Sequence, residues 1–377
     1  MSARALPERD AHRFKEKDSG ANQMNATSQL VLESPETLRL DPRGFDNIKD
    51  ARHRCHVREV IECGYLHDAL TLLDEHLVPG GTIVAPYVAD PCPYHVDGFA
   101  KRLQEEFEVW GLRCPLPLFR HMTAMRALLV PLDDDELAYA ITRIWLVAPL
   151  MDDICEASPE ANLMVLRAAA GQGDGSALSK YCQFMFAELE RLASPVFVLV
   201  LRMMFYKSFI GTLFESHLAQ HATPVHEQTC DYIRHYNGIC EFFFLSLQFK
   251  GGSLAYPGNA AFWADIMSPC VAYLNDFNDV LSIYKEAVNG GDFAASRMFL
   301  KSLGSDAPSY ADVYQSTLRS GMTSYEAIAR TAARHGIDAQ AYLVHFMRGF
   351  VYWQLHCPRY RWRELFPNLA DSENAAG

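Results

Sequence analysis

Asn278-Asp279-Val280-Leu281-Ser282-Ile283-Tyr284-Lys285-Glu286 sets an amide, a hydroxyl and a carboxylate at i, i+4 and i+8, which on an α-helix form a single stripe. The stripe continues the line of Leu274, so it is expected to face inward. Three oxygen-bearing groups are costly to bury unless something satisfies them. A hard divalent cation such as Mg²⁺, which takes oxygen ligands, does so. The register is specific, because starting at Asn275 puts Asp279 and Ile283 in the later slots and fails. At average residue usage, Asn, Ser or Thr, and Glu at this spacing arise by chance in roughly one chain of this length in ten. Requiring Asp279 and Lys285 as well takes that below about one in a thousand. A capped or wet helix face is the bland alternative, and those odds weigh against it.

The surroundings read as helix too. Ser268-Pro269 has the form of a helix start, a capping serine with proline in the first turn, and Asn289-Gly290-Gly291 has the form of a stop. Leu137, Ile141, Ile144, Trp145 and Ala148 recur at three-and-four spacing, the mark of an amphipathic helix. Pro149 is expected to kink or interrupt that helix. Asp338 opens another helix that runs until Pro358 breaks it. Strand alternation bounded by hairpin turns is scarce, so the expected fold class is all-α, a single-domain helical bundle. Residues 1–45 are polar and without period and are expected to form a loose tail. Residues 46–370 are expected to form the one helical domain.

Composition narrows the function. The 377 residues carry 34 Lys and Arg against 46 Asp and Glu, a net charge of −12, which argues against a nucleic-acid backbone as partner. No run reaches the 18 or so apolar residues of a membrane span; the greasiest pieces, Val196 to Leu201 and Phe242 to Leu247, are short and bounded by charge. The N-terminus lacks an apolar signal core, and Glu8, Asp10, Glu16 and Asp18 argue against a transit peptide. Ten cysteines without a CxxC pair read as free thiols, mostly buried, in a reducing, cytoplasmic setting.

Three further elements carry chemistry. Asp152-Asp153-Ile154-Cys155-Glu156 puts Asp152 and Glu156 four apart at the end of the stripe through Ile144 and Ala148. Carboxylates gathered there repel each other, and a bound cation relieves that. Arg234 precedes the helix-breaking Asn237-Gly238, and Arg359-Tyr360 follows Pro358; arginine is the preferred fork for phosphate oxygens. Together these describe two oxygen-rich stripes holding Mg²⁺ against a diphosphate, with Arg234, Lys285, Arg359 and Tyr360 as donors. Such a device lets a carbon–oxygen bond ionise. The resulting cation needs an apolar, dry cavity. Phe205, Phe209, Phe214, Phe242, Phe243, Phe244, Tyr273, Phe277 and Trp353 are candidate walls, although each alone is more simply core packing.

At these residues the chain resembles the class I terpene synthases, and within them the fungal trichodiene-synthase-type sesquiterpene cyclases. Asp152, Asp153 and Glu156 match the family's Asp-rich motif; Asn278, Ser282 and Glu286 match its N-D-x-x-S-x-x-x-E signature, with Lys285 before the glutamate. Arg234 corresponds to its diphosphate sensor and Arg359-Tyr360 to its C-terminal pair. The segment His345-Phe-Met-Arg-Gly-Phe-Val-Tyr-Trp-Gln-Leu is similar to the end of trichodiene synthases. The resemblance covers about residues 100 to 365. It implies the all-α terpenoid synthase fold with a central active-site cavity, three Mg²⁺ ions and an isoprenyl diphosphate substrate, with farnesyl diphosphate expected. Asp152 and Glu156 would hold two ions, with Asp153 supporting, and Asn278, Ser282 and Glu286 the third. Relatives are often dimers, so a homodimer is compatible with it. Three departures bear on the product more than on ionisation: Glu156 for the final Asp, Asn237 where many relatives carry Asp, and Cys357-Pro358 before Arg-Tyr. Two alternatives stand beside this reading, a chain-elongating prenyltransferase of the same fold and a non-enzymatic helical protein with wet acidic faces.

Overall fold

The structure, a computed structural model, describes residues 38–68, 70, 93–157, 163–164, 167, 172, 175–221, 227–237, 240–256, 258–303 and 306–369. The described residues form helices and 3-10 turns, with no strand among them. In chain order the helices are α1 (Ala51–Glu62), α2 (Pro93–Trp110), α3 (Leu116–Leu129), α4 (Asp135–Ala157), α5 (Ala177–Leu192) and α6 (Pro195–His221). They continue with α7 (Glu227–Asn237), α8 (Cys240–Leu245), α9 (Ala260–Asn289), α10 (Gly291–Ala295), α11 (Arg297–Lys301), α12 (Tyr310–His335) and α13 (Ile337–His356). The all-α expectation holds.

The helix through Ile141 and Trp145 is more central than its stripe implies. Asp134 caps α4 by accepting from the Glu136 and Leu137 backbone N–H groups at 2.9 and 3.0 Å. Every residue from Ala138 to Ala148 is buried, so α4 is covered all round, as a core helix is. Its one charge there, Arg143, is met by Glu106 of α2, which also accepts from Tyr181 of α5 at 2.7 Å and lies 3.1 Å from the Tyr139 hydroxyl. Pro149 does not interrupt α4, which continues to Ala157. The packing around Trp145 and Met151, both fully buried, offsets the one hydrogen bond that proline removes.

Ser268-Pro269 is not a helix start. α9 begins at Ala260 and carries Pro269 in its interior. Phe262, Trp263 and Ile266 are buried, and the Trp263 indole donates to the Leu254 carbonyl at 2.9 Å, so tertiary packing holds the two turns ahead of the proline. The stop is as expected: Gly290 takes a positive φ of 78° and donates to the Glu286 carbonyl at 2.8 Å. α12 packs along α9, and Gly321 lets them approach, since a Cβ there would sit 2.9 Å from the Phe277 ring.

Part of the expected tail is packed. Residues Pro42–Asn47 form a 3-10 turn with Phe45 fully buried. Asp41 donates to the Leu365 carbonyl at 2.7 Å, and the Tyr284 hydroxyl lies 2.8 Å from both the Gly44 carbonyl and the Glu364 carboxylate. This strap meets the end of the 3-10 turn Trp362–Glu364, whose Trp362 indole donates to the Leu281 carbonyl of α9 at 2.8 Å. The greasiest segment also runs further than the sequence runs suggest: Pro195–Phe214 has a mean hydropathy of 1.6 and the length of a membrane span. Its inner face (Val198, Leu201, Phe205, Phe209) is buried in the bundle, which is the place of a core helix rather than a lipid-facing one.

Candidate active site

α9 presents Asn278, Ser282 and Glu286 on one face, as their spacing requires. Ser282 is buried, while Asn278 and Glu286 are half-buried at the wall of the bundle. The Ser282 hydroxyl donates to Glu286 Oε1 at 2.5 Å. Burial pushes the Glu286 carboxyl up to about 7; Lys285 and the Ser282 hydrogen bond pull against that, and Asp279 adds to it. A desolvated carboxylate, a hydroxyl and an amide oxygen form a hard-oxygen set, the kind that suits Mg²⁺.

Arg234 reaches this face from α7. Its Nη2 lies 2.8 Å from Asn278 Oδ1 and 2.8 Å from Asp279 Oδ1. Asn275 fixes the backbone behind it by donating to the Arg234 carbonyl at 3.2 Å. Two elements predicted separately from sequence therefore meet at one amide. The C-terminal turn that carries Arg359 and Tyr360 packs against α9 as well. Tyr360 is buried edge-on to Trp353 at 5.4 Å, and its hydroxyl accepts from Gln354 at 3.3 Å. Burial pushes its phenol up, and the Glu286 charge adds to that. Arg359 lies near His121 of α3, whose imidazole is pushed down to about 4 by burial first and by Arg359 next.

The sequence reading missed Arg297. Its Nη2 lies 2.7 Å from Asp276 and 2.7 Å from Asp279, and Nη1 lies 3.4 Å from Asp231 of α7. Asp279 thus sits between two guanidiniums, one from α7 and one from α11. Lys301, one turn after Arg297, pairs with Asp231 at 2.6 Å. The signal was present as the acidic pair Asp276 and Asp279, three apart on an inward face, with a basic pair four apart just past the helix stop. Tyr310 of α12 adds a buried hydroxyl that has no hydrogen-bond partner among the described residues and feels the Glu286 and Asp279 charges.

Asp152, Asp153 and Glu156 fall in the last two turns of α4; their side chains and that of Asn237 lie outside the described residues, as does Gly238. Among the described residues no group of three His, Cys, Asp or Glu side chains forms a metal cage; the α9 set contributes one carboxylate to an amide and a hydroxyl. Of the candidate wall aromatics, Phe205, Phe209 and Phe242 form an edge-to-face group inside the bundle. Phe214 points outward at 44 % exposure. Phe277 is taken by Gly321 and by Tyr273, 4.6 Å away. The face of a helix decides where a ring points, so Phe214 does not face the interior, and Phe277 packs between α9 and α12.

No protein-family model and no curated protein sequence matches the chain. Among solved structures it is similar to 2-methylisoborneol synthase from Streptomyces coelicolor A3(2), crystallised with Mg²⁺ and geranyl-S-thiolodiphosphate. The TM-score is 0.56 at 15 % identity, over 71 % of this chain and 93 % of that one. A variant of the SVS_A2 protein from ancestral sequence reconstruction gives a TM-score of 0.52 at 16 % identity, over 70 % and 84 %. At such identities the likeness speaks for the fold: the chain has the all-α fold of the class I terpene synthases.

Proposed function

We propose that this chain is a Mg²⁺-dependent class I terpene cyclase that ionises an isoprenyl diphosphate, farnesyl diphosphate, and cyclises the cation to a sesquiterpene in the cytoplasm. The observation that carries the reading is the convergence of Arg234 on Asn278 Oδ1 at 2.8 Å, beside the Ser282–Glu286 pair. The ion pair with Asp279 fixes the Arg234 guanidinium at this face, where an anion held through a cation would meet both the sensor and the oxygen-donor stripe.

Asn278, Ser282 and Glu286 would hold one ion, and Asp152 and Glu156, supported by Asp153, would hold two more. When bound, Mg²⁺ neutralises charge on the departing pyrophosphate. The remaining work falls to the chain. The Arg234 guanidinium, held at Asn278 Oδ1 and Asp279, would turn part of its fork onto phosphate oxygens. Lys285 flanks the stripe, and Arg359 and Tyr360 close the site from the C-terminal turn. Phe205, Phe209 and Phe242 line apolar ground that excludes water from the cation, each ring face attracting it by roughly 0.5 to 2 kcal/mol. The trichodiene-synthase-like end of α13, running into Arg359-Tyr360-Arg361, supports that subtype, with residues 46–370 as the catalytic domain.

Asn278→Ala and Glu286→Gln should each lose nearly all turnover of farnesyl diphosphate, read by gas chromatography–mass spectrometry with Mg²⁺, while circular dichroism stays that of the parent. Full turnover in either variant sinks the assignment. A longer diphosphate made from farnesyl and isopentenyl diphosphates together would instead mark chain elongation.

A further inference from the structure

Beside the α9 stripe the fold leaves one buried hydroxyl without a bond. Tyr310, in the first turn of α12, is 1 % exposed, and its Oη has no hydrogen-bond partner among the described residues. A buried tyrosine hydroxyl ordinarily finds a partner, and one that lacks it calls for a reason. The ring itself is held in place, with Phe293 of α10 at 5.2 Å and His56 of α1 at 5.0 Å.

Helix register brings this residue to Glu286. Gly321 of α12 lies against Phe277 and Asp276 of α9, while Tyr310 meets Phe293, just past the end of α9, so the two helices run antiparallel. The roughly three turns from Gly321 back to Tyr310 carry its ring to the end of α9 that bears Glu286. Burial first, and then the Glu286 charge, push the Tyr310 phenol up. Yet the Glu286 carboxylate takes its hydrogen bond from Ser282 and none from Tyr310. A hydroxyl near enough to sense a carboxylate and too far to bond it leaves room for one bridging molecule. Tyr314, one turn on, supplies the contrast. Its hydroxyl is also buried and unpartnered among the described residues, but burial alone acts on it, and its ring stacks on Tyr65 at 6.4 Å.

We propose that Tyr310 is a positioning residue for the α9 donor set, its Oη donating to a water carried by the cation that Asn278, Ser282 and Glu286 would hold. This role rests on the Mg²⁺-dependent cyclase reading of the site. Outer groups of this kind orient the inner ligands and tune the metal, and their loss weakens metal binding or activity by roughly 10- to 100-fold.

Calorimetry of the full chain, with inorganic pyrophosphate titrated in at a series of MgCl₂ concentrations, tests it. Tyr310→Phe keeps the ring and removes one oxygen. Its pyrophosphate dissociation constant at limiting Mg²⁺ should rise roughly tenfold or more, and the deficit should close at saturating Mg²⁺. Tyr314→Phe should match the parent throughout. Without Mg²⁺, Tyr310→Phe should unfold in urea at or above the parent's midpoint, because the oxygen it lacks had no bond to lose. An unchanged dissociation constant in Tyr310→Phe overturns this role and leaves the reading of the site intact. So does a deficit that persists at saturating Mg²⁺, which marks a bond to phosphate itself, or an equal loss in Tyr314→Phe, which marks a general disturbance of α12. A midpoint lowered without Mg²⁺ overturns it too, by assigning the hydroxyl to the fold. A parent with no Mg²⁺-dependent heat overturns the reading and the role together.

Discussion

At the scale of single residues, Gly321 and His121 give the sharpest expectations. Alanine usually improves a helix interior over glycine by about 1 kcal/mol, but at position 321 the new methyl would press on the Phe277 ring at 2.9 Å. Gly321→Ala should therefore destabilise by about 1–3 kcal/mol, read as a lower urea midpoint at unchanged m-value. A gain in stability would mean that α9 and α12 can part freely. His121 has a native pKa of about 4 against an ordinary 6.5, so between those values the unfolded chain binds the proton and the native chain does not. Stability from this group is complete above pH 6.5 and is lost as pH falls through 4. Denaturant midpoints at pH 7 and pH 4.5 should lie closer together in His121→Gln than in the parent. An equal gap would assign the acid sensitivity elsewhere.

At the scale of elements, α2, α4 and α5 are tied at Glu106. It takes two bonds from the Arg143 guanidinium, at 2.8 and 2.7 Å, and a third from Tyr181. Glu106→Gln leaves the Arg143 charge buried and should cost about 3 kcal/mol or more, whereas Glu106→Gln with Arg143→Met removes the orphan charge and should recover much of that. A double variant no more stable than the single one, by chemical denaturation, counts against the reason given. Elements are also where the sequence was partly legible. The stop at Gly290 and the run of α13 follow from local chemistry, because positive φ and a missing N–H act on their own residue. The start of α9 does not, because Ser268-Pro269 makes a good cap only if nothing upstream is worth burying, and Phe262 and Trp263 are. Arg234 on Asn278 could be anticipated only as two separate signals. Arg297 on Asp279 was not anticipated at all, since an ion pair across helices leaves no period in the chain.

At the scale of the whole molecule, the C-terminal segment that follows Arg359-Tyr360 is held by residues more than three hundred positions away. Arg39 donates to Asn368, Asp41 to Leu365, and Gly44 lies so close to Glu364 that a Cβ would run into its carbonyl oxygen. Gly44→Ala should lift the strap, costing about 1–3 kcal/mol, and should lower turnover, with the Tyr284 hydroxyl of α9 losing its bond to the Gly44 carbonyl. Unchanged stability and rate together would show the strap to be ornamental.

Arg39 and Asn368 are separated by 329 residues, which a ribosome takes roughly 20 s to a minute to cover. Throughout that interval Glu364, Leu365 and Asn368 are not yet there to receive the strap. Closure of the strap onto the C-terminal turns is therefore a late event, because its two sides leave the ribosome far apart in time.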